Sequence, residues 1–151
     1  MVLCSETNNH SLSAWERDRI MKPELRKIFD DQLELVLAEL PQQVRDFMQE
    51  VPMVVEDYPS REVMRRMRIR HPSHLYGLYT GIPLIKRSVD NWGVPSDVVN
   101  IYRLGILSKS RARNGGFDKT ELCKQIRHTI LHEYGHHVGL TERDLRDLGY
   151  G

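Results

Sequence analysis

The stretch from Asp118 to Val138 constrains the fold more than any other part of the chain. Leu122, Ile126, Ile130 and Tyr134 recur every fourth residue, which on an α-helix stacks them along one face. That apolar face needs a core to cover it. Asp118 fits the N-cap, and Glu121, three residues on, fits the reciprocal position of a capping box. Gly139 fits the left-handed position that ends a helix. Gly135 lies inside the helix, where glycine costs about 1 kcal/mol relative to alanine. Close approach of a neighbouring backbone is one reason to keep it there.

His128, His132 and His136 form a second stripe on the same helix. The run His132-Glu133-Tyr134-Gly135-His136 reads H-E-x-x-H. Residues four apart lie one above the other, so His132 and His136 can turn two imidazoles toward one metal ion. Glu133 then sits beside that ion, where a carboxylate can hold a water and act as general base. His128 is too far along the axis from His136 to share the ion, and only the His132/His136 pair places a glutamate directly after the first ligand. His137 points about 100° away from His136, so it is not expected to be a ligand, although it could meet substrate. A catalytic zinc needs a third protein ligand. Glu142 suits that role, because the turn at Gly139 can swing the following residues back toward the metal. The bland alternative for Glu142 is a first-turn acid of a final short helix; Asp144 and Asp147 are further options.

The bulk numbers bound the rest. A chain of 151 residues fits one domain with a sizeable core. Its net charge of +1 gives no reason to expect nucleic acid or a membrane as partner. No apolar run has transmembrane length and no leader pattern opens the chain, so the expected location is cytoplasmic. The two cysteines, Cys4 and Cys123, have no close partners and are read as reduced thiols. Residues 1–20 are polar without a period and are expected to be a flexible tail, with a single domain over 21–151.

Pro23 opens a helix carrying Leu25, Ile28, Phe29, Leu33, Leu35, Val36 and Leu40 at helical spacing. Pro41 interrupts it, and Gln42 to Glu50 forms another. Strands are expected at Val51–Glu56, Leu75–Thr80 and Asp97–Leu104, and a short helical segment at Arg61–Arg68. The basic, glycine-rich stretch from Ile106 to Phe117 reads as a mobile loop. Thr141 can cap a last helix from Glu142 to Leu148. This order is that of an α+β domain.

Residues 132–140, H-E-Y-G-H-H-V-G-L, then Glu142, and the ending Leu145-Arg146-Asp147-Leu148-Gly149-Tyr150 resemble the small zincin-like metallopeptidases, or minimal zincins. Gly77-Leu78-Tyr79-Thr80-Gly81-Ile82-Pro83-Leu84 resembles a second stretch of that family, G-L-Y-x-G-x-P-L. The resemblance runs over residues 24 to 150 and is strongest after 118. One departure is the acidic position, commonly Asp in the family and here Glu142, a methylene longer.

The resemblance implies a zincin-like α+β fold: N-terminal helices, a small mixed β-sheet, the H-E-x-x-H helix and a short C-terminal helix. It implies one zinc ion on His132, His136 and Glu142, with Glu133 as general base for hydrolysis of peptide bonds in a peptide or protein substrate. It also implies an edge strand, within 75–80 or 97–104, that holds the substrate extended. Tyr150, His137 and Arg103 are candidates for the oxyanion, each with ordinary packing or solvation as the plainer account. The main alternative is a metal-binding zincin-fold protein with little proteolysis that works through partner binding. A metal-dependent ribonuclease with H-x-x-x-H-x-x-G fits less well, since Leu140-Thr141-Glu142-Arg143 lacks the further His/Asp cluster. The basic cluster Arg61, Arg65, Arg66, Arg68, Arg70, His71 and His74 reads first as a solvated face, as do Lys109, Arg111 and Arg113, which could also steer an acidic substrate. The residues do not fix the oligomeric state.

Overall fold

The computed structural model describes residues 2–4, 21–86 and 97–147. Helices α1 (Pro23–Glu39) and α2 (Gln42–Glu50) follow the expected bounds, each opened by a proline that needs no N–H partner. Then come strand β2 (Met53–Glu56), helix α3 (Arg61–Arg66) and strand β3 (Gly77–Thr80). Strand β4 (Val98–Tyr102) runs directly into helix α4 (Arg103–Lys109). The long helix α5 (Lys119–Val138) and the short α6 (Glu142–Asp147) finish the described part.

Ahead of these lies strand β1 (Val2–Cys4), which pairs in parallel with β2. It falls within the expected tail, whose residues 5–20 lie outside the described ones. A parallel partner far along the chain leaves no local sequence signal, unlike a hairpin with its turn.

The sheet has the order β1-β2-β4-β3, with β1, β2 and β4 parallel and β3 antiparallel to β4. Met53 and Val55 on β2, and Val99 and Ile101 on β4, are the alternate residues turned into the core. There they meet Phe29, Leu33 and Val36 of α1 and Leu122, Ile126, Ile130 and Tyr134 of α5 in one cluster. Burying an aliphatic or aromatic side chain of this size contributes about 1.5–3 kcal/mol, so the four-residue stripe on α5 anchors that helix firmly. Tyr134 adds a directional tie, because its hydroxyl donates to the carbonyl of Val51 at 2.8 Å. Burial pushes the phenol's pKa well up, so it stays a neutral donor.

The expected loop from Ile106 to Phe117 is shorter than the sequence suggested. Its first part belongs to α4, and a bridge between Arg111 and Phe117 closes the remainder. Gly105 hid the helix, since glycine weakens helical propensity. It is needed because a Cβ there would sit 2.3 Å from the carbonyl oxygen of Leu75. Arg103 does not line the cleft that runs beside α5. It is buried, donating to Asp30 at 3.0 Å and to Asp57 at 3.1 Å, while Arg26 pairs with the same Asp57. This chain of charges ties α1 to the start of α4 and to the segment after β2.

Replacing Arg103 by methionine keeps the volume but leaves Asp57 with one cation fewer. Chemical denaturation should show a loss of about 3 kcal/mol, as for a broken buried ion pair. A loss under half of that would mean that Arg26 alone satisfies Asp57.

Candidate metal centre and cleft

Helix α5 begins as expected at Asp118, whose carboxylate accepts from the N–H of Glu121 at 3.0 Å. The capping box is only half formed. Glu121 accepts instead from Gln125, and the N–H of Asp118 goes to the carbonyl of Ser110. At the other end Gly139 is left-handed, with φ 95°. The N–H of Leu140 reaches the carbonyl of Gly135 and that of Gly139 reaches His136, both at 3.0 Å, closing a Schellman turn. Thr141 then caps α6 as expected: its hydroxyl oxygen accepts from the N–H of Asp144 at 3.3 Å, and the Asp144 carboxylate accepts in return from the Thr141 N–H at 2.8 Å and hydroxyl at 2.7 Å. These bonds hold the Asp144 carboxyl below its ordinary range and occupy it in the cap. Asp147 is likewise absent from the cluster that forms nearby.

That cluster is His132, His136 and Glu142, whose ligand-type atoms all lie within 4.8 Å of one another. His132 Nε2 and His136 Nε2 are 3.1 Å apart. Glu142 Oε1 is 3.0 Å from His136 Nε2 and 3.6 Å from His132 Nε2. A tetrahedral zinc with bonds near 2.0–2.1 Å keeps its donors about 3.3 Å apart. The three separations bracket that figure, so the donor set fits such an ion. The ring of His136 is fixed from behind: its Nδ1 lies 3.2 Å from the carbonyl of Leu140, which selects the tautomer with an Nε2 lone pair facing the cluster. The extra methylene of Glu142 is no obstacle, because the Schellman turn sets the start of α6 within reach.

Glu133 is only 8% exposed and points toward the edge of the sheet. Its Oε2 accepts from the backbone N–H of Tyr79 on β3 at 2.7 Å. Burial pushes its carboxyl pKa upward, against the pull of His132, the Tyr79 N–H and His136. Strand β3 approaches closely: a Cβ on Gly77 would lie 2.8 Å from both Glu133 Cγ and Thr129 Cγ2. Nothing in the local pattern announced the Tyr79 N–H as a partner of Glu133. The glycine two residues earlier was its only trace.

His137 does not face the cleft. It is buried, with its Nδ1 3.2 Å from Asp97 and 3.3 Å from the Tyr79 hydroxyl, and its ring packs edge-on against Phe47. Tyr79 also donates to Asp97 at 2.9 Å. This group pins β3 to α5 and removes His137 from the candidates for contacting an oxyanion or substrate. The buried ion pairs remove Arg103 in the same way, and Tyr150 lies outside the described residues. His128 stacks on His132 with ring centroids 6.5 Å apart and stays outside the donor cluster. It lines a cleft of about 780 Å³ that runs between β3 and α5 and ends at the cluster.

A family model described as zincin-like metallopeptidase matches residues 48–151. The chain belongs to the zincin-like metallopeptidase family. The match takes in β2, β3, β4, α5 and α6, so three of the four strands, the cleft and the donor cluster lie inside it, and β1 lies outside. The α+β architecture with a small mixed sheet is that of a zincin-like fold. A comparison with curated proteins gave no match. No helix among the described residues is long and apolar enough to cross a membrane.

The raised carboxyl of Glu133 gives a stability prediction for metal-free protein. A carboxyl whose folded pKa exceeds its unfolded one favours the fold most fully below the unfolded value, about 4.3, and that contribution is lost as pH rises through the folded value. Glutamine carries no such penalty. In thermal unfolding with chelator, Glu133→Gln should melt above the parent at pH 8, and the gap should narrow toward pH 4. A gap independent of pH would mean that burial does not tax the charge.

Proposed function

We propose that this protein is a zinc-dependent peptidase acting in the cytoplasm, with His132, His136 and Glu142 holding one zinc ion and Glu133 as general base. The observation that carries this reading is the convergence of the three donor atoms at the end of a cleft whose wall is an edge strand. Zinc held there would supply Lewis acidity, for activating a water and polarising a carbonyl oxygen. Glu133, one residue from the first donor, takes the proton of the attacking water and passes it to the leaving amine. Burial raises the affinity of its carboxylate for that proton.

Strand β3 offers the means to position a peptide. The bond from the Tyr102 N–H to the Tyr76 carbonyl turns Tyr76 toward β4, so Gly77 and Tyr79 turn their backbone groups away from the sheet. An extended peptide in the cleft would add to β3 at Gly77 by main-chain hydrogen bonds. Strand β4, the other candidate from the sequence, lies between β2 and β3 and has no edge to offer.

One observation favours the second reading, a metal-binding protein that works through partners: the Tyr79 N–H already engages Glu133. The engagement uses one carboxylate oxygen, however, and a carboxylate accepts at both.

Metal analysis should find one zinc per chain. His132→Ala and His136→Ala should each weaken binding by more than the roughly 10–100-fold typical of losing a group that only orients a ligand. A diverse peptide library read by mass spectrometry should be cleaved by the zinc-loaded parent and left intact by zinc-loaded Glu133→Gln. Zinc bound in both with cleavage by neither would sink the peptidase reading in favour of the second.

A further inference from the structure

The cleft extends well beyond the donor cluster, and its two ends differ in charge. At the catalytic end stand Glu133 and Glu142. The other charged side chains lining it are Lys109, at the end of α4, and Lys124, two turns before His132 on α5. His74 and His128 line the cleft as well. Its wall is mixed: Gln125, His128 and Thr129 line it between Lys124 and His132 on α5, and Met67 and Tyr76, among the more exposed large apolar side chains of the described residues, line it as well. Met67 lies in sequence between Arg66 and Arg68. A separate hollow of about 640 Å³ is lined by Arg61, Arg65, Arg68 and Arg70.

One acid, Glu121, pairs loosely with Lys124. The two lie 3.7 Å apart, with the lysine side chain 69% exposed, and such a pair is worth little in water. Lys109 is exposed at the last turn of α4.

We propose that the cleft selects peptide segments with an acidic side chain on one side of the bond placed at the metal centre, and that Lys109 and Lys124 are the selecting residues. The inference rests on the peptidase reading for the site but concerns recognition, which can be measured without turnover. Lys124 lies eight positions before His132 on α5, about 12 Å of rise. An extended peptide advances about 3.3 Å per residue. The acidic side chain thus falls about three or four residues from the carbonyl at the metal.

The test uses zinc-loaded Glu133→Gln, which should bind peptides without consuming them. Fluorescein-labelled octapeptides that differ only by Glu or Gln scanned through each position are titrated by anisotropy. One position three or four residues from the centre should bind about fivefold tighter with Glu than with Gln, the scale of one or two exposed charge pairs. That preference should disappear in the Lys109→Ala/Lys124→Ala double variant, at unchanged zinc content and melting temperature, and should fade at high salt. No positional preference, a preference that survives the double variant, or no binding of any peptide by zinc-loaded protein would each overturn the proposal. Cleavage of the same peptides by the parent is scored separately. Acid preference without cleavage would keep the recognition and end the peptidase reading, and cleavage without acid preference would do the reverse.

Discussion

The site depends on how closely strand β3 lies against helix α5. Glycine at position 77 permits an approach that any Cβ would block against Glu133 and Thr129. At that distance the N–H of Tyr79 reaches the Glu133 carboxylate, and the Tyr79 side chain reaches Asp97 and faces His137. The strand is thereby fixed to the helix at two levels, by backbone beside the cleft and by side chains behind it. The cleft runs along the same two elements, with Tyr76 and Lys124 among the residues that line it.

The donor cluster has a divided origin. Two imidazoles come from one rigid helix, where spacing alone sets them side by side. The carboxylate comes from beyond a chain reversal and is far more exposed, 62% for the Glu142 side chain against 21% and 25% for the two imidazoles. The Schellman turn and the Thr141–Asp144 cap make that reversal definite. Bonds local to residues 135–144 therefore bring a distant-looking carboxylate to the histidines.

Features carried by local pattern were readable in the sequence. The apolar stripe on α5, the proline-opened helices, the Gly139 stop and the H-E-x-x-H pair each follow from residues within one or two turns of each other. The structure brings His132, His136 and Glu142 together as the spacing suggested. What stayed hidden is set by contacts between distant segments. Strand β1 needs β2 to be recognised, α4 is masked by a glycine kept for packing against Leu75, and the edge position of β3 comes from sheet order. His137 and Arg103 look like available polar groups when read along the chain. Their burial beside Asp97, and beside Asp30 and Asp57, is a property of the folded layers alone.

Tyr134 stands between Glu133 and Gly135, two residues from each histidine, yet its hydroxyl is directed into the interior at Val51. A helix turns about 100° per residue, so this five-residue run faces two ways at once. Any roll of the helix that re-aimed the imidazoles would drag a buried phenol out of its seat. The angular setting of the histidines is therefore held by a group on the far side of the helix, one that touches neither ion nor substrate.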